Sequence, residues 1–176
     1  MHRIREASGS NIGGLQDPVF LSHGTENSTE LTSIRRSIQQ KHLVIQILFD
    51  GVNHFVTLVV LEDGTATLFD SLGTKVSDSL QVQLRSIFGS GKRISIPAIF
   101  PQVGSNCLVN AAAMATDFAL KKKEPENAQW VDGDQLRQWF KLILFNENVL
   151  TPAARKRGAR SRNPEKTVPS NSFLIT

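Results

Sequence analysis

The chain contains a single cysteine, Cys107, which opens an alanine-rich run, CLVNAAAMATDFAL, that predicts a helix. A thiol becomes a strong nucleophile when its thiolate is favoured by the N–H groups of a helix N-terminus or by a neighbouring imidazolium. Ser105 or Asn106 is suited to cap this helix and so to place the cysteine in its first turn. A lone free cysteine is also commonly a buried packing residue. Cys107 alone therefore leaves both interpretations open.

A base and an orienting carboxylate stand at the open ends of a predicted hairpin. His54 lies at the start of the apolar run NHFVTLVVL (53–61), and Asp70 closes the run TATLFD (65–70). The sequence Glu62-Asp63-Gly64 between them is a strong turn signal. The two side chains can meet only if the hairpin register brings them to one face of the sheet.

The length of the loop decides that register. A two-residue turn pairs Glu62 with Thr65 and sends the histidine and the aspartate to opposite faces. A three-residue loop pairs Leu61 with Thr65 and needs glycine in the left-handed position, where Gly64 stands. The two side chains are then diagonal neighbours on one face, about 7–8 Å apart at the backbone, so the aspartate can orient the imidazole as in a catalytic triad.

The other elements of the chain predict an α+β protein. Further helices are predicted at 28–40, 76–88, 107–120 and 132–145, and further strands at 42–49 and 93–100. In the last helix we expect Trp139, Leu142 and Ile143 to face inward. Helices and strands are partly segregated along the chain, which favours α+β over a doubly wound sheet.

The chain divides into a nearly neutral body and a basic tail. Of its 176 residues, those from 151 to 176 include six basic residues and one acid, although the whole chain has a net charge of only +4. The tail lacks a sustained pattern and is predicted to be mostly disordered. Its run RKRGARSR, residues 155–162, predicts either weak nucleic-acid contact and nuclear import, or a solvated segment without a fixed partner.

Composition excludes several classes of protein. One cysteine makes no internal disulfide or cysteine-based zinc site, and the four histidines have no ligand spacing, so we expect no metal and no cofactor. There is no apolar run of about 18 residues and no signal peptide, so we expect no membrane contact. These features predict an intracellular monomer of about one domain, in the nucleus or cytoplasm, with the basic run favouring the nucleus.

The stretches NHFVTLVV, TLFDSL and PQVGSNC resemble the SUMO-deconjugating, ubiquitin-like-specific cysteine protease family, which is similar in fold to the adenovirus endopeptidase. The family pattern is a histidine-aromatic pair, an aspartate, then a glutamine shortly before the nucleophilic cysteine. His54-Phe55, Asp70, Gln102 and Cys107 fill these positions. The resemblance covers residues 12–145. With IGGLQDPVF (12–20) it is strongest to protease-like domains of animal transposable elements and the genes derived from them.

The resemblance implies a papain-like, adenain-like fold, with a mixed central sheet flanked by helices, in a peptidase domain spanning residues 1–150. It implies hydrolysis of a peptide or isopeptide bond of a ubiquitin-like (SUMO-type) conjugate or precursor. Cys107 would be the nucleophile, His54 the base and Asp70 its orienter. The side-chain amide of Gln102 and the N–H of Cys107 would bind the oxyanion.

Several positions depart from the family pattern. Leu108 follows the cysteine where the family has glycine, and Asn106 precedes it where aspartate is usual. Gln102 lies one residue closer to the cysteine than usual. The family's first helix is not expected before Asn11, which suggests a truncated copy. These departures favour an alternative: a catalytically impaired domain that binds a ubiquitin-like protein.

Overall fold

The computed structural model describes residues 2–8, 12–23, 28–72, 75–97, 105–121, 133–145 and 171–176. Within these ranges the helices are α1 (His2–Ser8), α2 (Thr29–Gln39), α3 (Asp78–Phe88), α4 (Cys107–Lys121) and α5 (Gly133–Phe145), with a short 3-10 helix at Phe20–His23. The strands are β1 (Ile12–Gly14), β2 (Leu43–Phe49), β3 (Phe55–Val60), β4 (Ala66–Phe69), β5 (Arg93–Ile96) and β6 (Asn171–Leu174).

The strands form one mixed sheet, in the order β1-β2-β3-β4-β5-β6. The β1–β2 and β4–β5 pairs are parallel, and the other neighbours are antiparallel. Helices α1, α4 and α5 pack on one face of the sheet, and α2 and α3 on the other. This mixed sheet between helices confirms the predicted α+β class.

Strand β2 is apolar on both sides because it lies between the two helical layers. Ile45 and Ile47 pack toward α4, whereas Val44 and Leu48 pack toward α2 and α3. All four side chains are fully buried. The central strands are therefore fixed from both faces, and the loops at their ends are held by a rigid sheet.

The hairpin between β3 and β4 has the three-residue register. Thr57 pairs with Phe69, the N–H of Leu61 donates to Thr65 O at 2.9 Å, and Gly64 has a φ of 84°. The left-handed backbone at Gly64 closes the loop, as glycine permits without steric cost. The predicted register is confirmed.

Helix α5 buries a different set of residues from the one expected. Leu136, Trp139 and Ile143 are buried, but Leu142 is 56% exposed. The prediction for Leu142 is wrong because the buried residues follow the spacing i, i+3, i+7 from Leu136, and Leu142 lies one residue before the last of these positions. Within the described helices, none is long and apolar enough to cross a membrane.

A short helix that the sequence pattern did not indicate precedes β1. Helix α1 spans His2–Ser8 and buries Ile4 to 3% exposure, whereas the absence of the family's first helix before Asn11 stays a prediction. The guanidinium of Arg5 donates to the carbonyl of Gly14, which ties α1 to the end of β1. Seven residues with one anchoring apolar side chain give too weak a pattern to predict from sequence.

The segment predicted as a disordered tail ends in a strand. Residues 171–174 form β6 beside β5, and Ile175 is 2% exposed. The N–H of Ile175 donates to Lys92 O at 3.0 Å, and Ile175 O accepts from the N–H of Gly91 at 2.8 Å. The prediction of disorder is therefore wrong for these last residues; residues 151–170, including the basic run, lie outside the described part of the chain.

Candidate active site

The hairpin brings the predicted base and its orienter into contact. Nε2 of His54 lies 2.7 Å from Oδ1 of Asp70, and both residues are buried, at 5% and 4% exposure. Oδ1 of Asp70 also accepts the N–H of Leu72 at 2.8 Å. A carboxylate oxygen only accepts, so Nε2 carries the hydrogen and Nδ1 of the neutral ring presents its lone pair. The backbone N–H of Leu72 thereby positions Oδ1 of Asp70, and this oxygen in turn orients the imidazole.

The electrostatic surroundings of His54 favour its protonated form. Burial lowers the pKa of His54, but the hydrogen bond to Asp70 and then the interaction with the Cys107 side chain outweigh it, so the pKa of His54 is raised. Within the described residues, Nδ1 is buried without a hydrogen-bond partner of ordinary geometry. The ring is thus prepared to accept and hold a proton at Nδ1.

The predicted nucleophile, Cys107, is the first residue of α4. Its Sγ is partly exposed and donates to the carbonyl of Asn53 at 3.5 Å, next to His54 in the chain. Fully buried Thr57, on β3, donates its hydroxyl to the carbonyl of Ala111 at 3.0 Å, one turn into the helix. This bond and the small alanine side chains of α4 bring the helix close to the strand that follows His54.

Helix α5 supports the residues just before the nucleophile. The carbonyl of Asn106 accepts the N–H of Asn110 at 2.9 Å, which puts Asn106, one of the two predicted candidates, at the N-cap position. Its side-chain Oδ1 accepts from Nε of Arg137 at 2.8 Å, and Ser105 O accepts from Nη2 of the same arginine at 3.5 Å. The asparagine amide is therefore held from α5.

The structure brings together three of the four predicted site residues: His54, Asp70 and Cys107. Gln102 lies outside the described residues, so its oxyanion role stays a prediction. Sequence reasoning missed Thr57 and Arg137, which act on the site through backbone carbonyls and the neighbouring amide. It also missed Asp50, although Asp50-Gly51 is itself a turn signal. Among the described residues, no group of His, Cys, Asp and Glu is arranged to hold a metal ion.

The arrangement has the parts of a thiol–imidazole–carboxylate site. The carboxylate holds Nε2, the opposite ring nitrogen is free to take a proton, and the thiol stands at a helix N-terminus. The N–H groups of the first helical turn have no intrahelical acceptor and point toward this end of α4. Such a set is suited to transferring a proton from sulfur and to stabilising negative charge beside it.

Comparison with known proteins identifies a fold and no sequence family. No family model matches the sequence, and no curated protein sequence matches it. Among solved structures, the fold is similar to that of the SUMO protease Ulp1 with its catalytic cysteine oxidized to a sulfonic acid. The TM-score is 0.57 at 15% identity, over 81% of this chain and 72% of that chain. The chain therefore has a Ulp1-like fold; the predicted link to transposable elements has no support in these comparisons.

Proposed function

We propose that this protein is a cysteine peptidase that hydrolyses a peptide or isopeptide bond at the C-terminus of a ubiquitin-like protein. The observation that carries the proposal is the position of His54, which binds Asp70 through Nε2 and directly follows Asn53, whose carbonyl accepts the Cys107 thiol at the start of α4. The similarity of the fold to that of a SUMO protease supports the substrate class.

In the first half of the reaction, the Sγ–H proton of Cys107 passes to Nδ1 of His54. The thiolate then forms a bond to the carbonyl carbon of the substrate, and the C–N bond breaks as Nδ1 returns the proton to the leaving amine. Asp70 remains ionised and stabilises the imidazolium that exists between the two transfers.

The second half restores the enzyme. Nδ1 takes a proton from water as the hydroxide oxygen adds to the thioester carbon. The C–S bond then breaks as Nδ1 returns this proton to sulfur, and the released carboxylic acid loses its proton to solvent. The backbone N–H of Cys107, in the first turn of α4, is the donor that would face the oxyanion in both halves. Gln102 is proposed as the second donor.

One observation favours a second candidate function. The Cys107 thiol donates to Asn53 O, while Nδ1 of His54 has no hydrogen bond of ordinary geometry among the described residues. In this arrangement the thiol is hydrogen-bonded to a backbone carbonyl rather than to the imidazole. With Leu108 following the cysteine, the fold would then bind a ubiquitin-like protein without cleaving it.

The two functions are separated by a panel of SUMO and related ubiquitin-like proteins that carry a C-terminal vinyl electrophile. The peptidase proposal predicts a covalent adduct on Cys107, read by intact mass, that is lost in Cys107→Ala and strongly slowed in His54→Ala. His42→Ala is the matched control, because His42 directly precedes β2 at the end opposite the His54 loop.

Either outcome is informative. An adduct with one panel member that needs His54 establishes both the activated thiol and the partner class. Binding of a panel member without any adduct, together with alkylation of Cys107 at the same rate in wild type and His54→Ala, would replace the peptidase with the binding module.

A further inference from the structure

A carboxylate outside the proposed triad organises the loop that precedes His54. Oδ1 of Asp50 accepts three consecutive backbone N–H groups, those of Val52, Asn53 and His54, at 2.9, 3.0 and 2.9 Å. The N–H of Asp50 itself donates to His54 O at 2.9 Å, which closes the loop. One oxygen thus holds the whole connection between β2 and β3.

The three amide bonds also define the charge of Asp50. Burial raises the pKa of its carboxyl, but the hydrogen bonds from His54, Val52 and Asn53 outweigh burial and lower the pKa overall. Charge-assisted hydrogen bonds of this kind are about twice as strong as neutral ones. The ionised carboxylate therefore stabilises the conformation of the loop strongly.

The base of the loop is fixed to the sheet and to α3. Phe49 and Phe55 pair across β2 and β3 with ring centroids 4.7 Å apart. Nε2 of Gln83, on α3, donates to Phe49 O at 2.7 Å. Gly51 has a φ of 86°, so the chain reverses there in a conformation that side-chain-bearing residues rarely adopt. Asp50 therefore binds the middle of a loop whose two ends are already fixed by the sheet and α3.

Both reacting groups depend on this loop. It ends at His54, whose ring binds Asp70, and its Asn53 carbonyl accepts the thiol of Cys107 at 3.5 Å. A change in the backbone of residues 52–54 moves the imidazole and the thiol's hydrogen-bond acceptor together. A displacement of 1 Å in such a site can lower the rate about a hundredfold.

We propose that Asp50 is a positioning residue: by binding three successive amides it sets the distance and orientation between the His54 imidazole and the Cys107 thiol. This inference rests on the proposed function for its catalytic consequence. In this role Asp50 acts through the backbone of residues 52–54 and not by touching the substrate or the reacting sulfur.

The test compares three variants of Asp50 in the full chain. Asp50→Ala removes the acceptor, Asp50→Asn keeps an oxygen in the same place, and Asp50→Ser keeps a shorter, weaker acceptor. Asp63→Ala is the matched control, because Oδ1 of Asp63 accepts the N–H of Thr65 at 2.8 Å in the other hairpin loop. The probe is iodoacetamide, and the readout is the second-order rate of Cys107 alkylation with the His54→Ala rate subtracted.

We expect Asp50→Ala to lower the His54-dependent rate at least about tenfold, since the loop loses all three bonds. Asp50→Asn should stay within about threefold of wild type, and Asp50→Ser should fall between the two. Asp63→Ala should leave the rate unchanged. Equal losses in the alanine and asparagine variants, or no loss in alanine, would overturn the inference.

Two further readouts keep the outcome unambiguous. Amide hydrogen exchange at residues 52–54 should accelerate in Asp50→Ala and not in Asp50→Asn, whether or not the protein cleaves anything. If Asp50→Ala does not fold, the test is the order of the His54-dependent alkylation rates, which should fall from wild type to Asp50→Asn to Asp50→Ser. A wild-type alkylation rate that does not depend on His54 would refute the proposed function, whereas unaltered exchange at residues 52–54 would refute the role of Asp50.

Discussion

Replacing Asp70 with asparagine tests the geometry of the proposed dyad. Oδ1 of Asp70 accepts two donors, Nε2–H of His54 at 2.7 Å and the N–H of Leu72 at 2.8 Å. In Asp70→Asn, the amide oxygen can keep this position, whereas an NH₂ group placed there would face both donors. The backbone N–H of Leu72 should therefore preserve the orientation of the side chain and the tautomer of the imidazole.

The size of the effect follows from that constraint. A hydrogen bond to a charged group contributes about 1.5–3 kcal/mol and one between neutral groups about 0.5–1.5 kcal/mol, so Asp70→Asn should cost about 1–1.5 kcal/mol of imidazolium stabilisation. This corresponds to a loss of about tenfold in rate. A reversed tautomer would instead cost about 10⁴-fold, the effect known for the equivalent change in a serine-protease triad.

The assay is the His54-dependent rate of Cys107 alkylation by iodoacetamide near neutral pH, followed by intact mass. NMR of the His54 ring should report a pKa below that of the wild type, because the neutral amide no longer raises it. Asp63→Asn serves as the control for an aspartate that accepts a backbone amide away from the site. A loss near 10⁴-fold would mean that Leu72 does not hold the oxygen, and an unchanged rate would mean that Asp70 does not orient His54.

Three further predictions follow from the same contacts. Thr57→Val should cost about 1 kcal/mol of unfolding free energy and also slow the alkylation of Cys107, because the hydrogen bond to Ala111 O is lost. Thr116→Val is the control, since the Thr116 hydroxyl bonds within α4 and its loss should change stability alone. Equal alkylation rates in the two variants would contradict this prediction. Ile175→Ala should lower the unfolding free energy by about 2–5 kcal/mol in urea titration, and a loss below 1 kcal/mol would mean that β6 is not docked. The pKa of His54 is raised in the folded state, so protonated His54 stabilises the fold fully below the unfolded pKa of about 6.5, and this stabilisation is lost as pH rises through the folded pKa. The unfolding free energy of wild type relative to His54→Gln should therefore decline over that pH range. A difference that does not change with pH would refute the prediction.

The sequence predicted the local parts of the site because each depends on neighbours in the chain. Gly64 selects the loop that brings Leu61 opposite Thr65, and that register alone turns His54 and Asp70 to one face. The alanine-rich run beginning at Cys107 predicted the helix whose first turn holds the thiol. Turn chemistry and helical periodicity are short-range effects, so they can be read without the fold.

The tertiary structure decided which distant groups support those parts. Thr57 ties β3 to α4, and Arg137 holds Asn106 from α5, although neither has a local pattern that indicates a role. Helix α5 buries Leu136 rather than Leu142, and β6 pairs with β5 although the segment directly before it, residues 151–170, is basic and polar in sequence. These contacts join residues far apart in the chain. Their formation depends on the packing of whole elements against the sheet, which residue order alone does not specify.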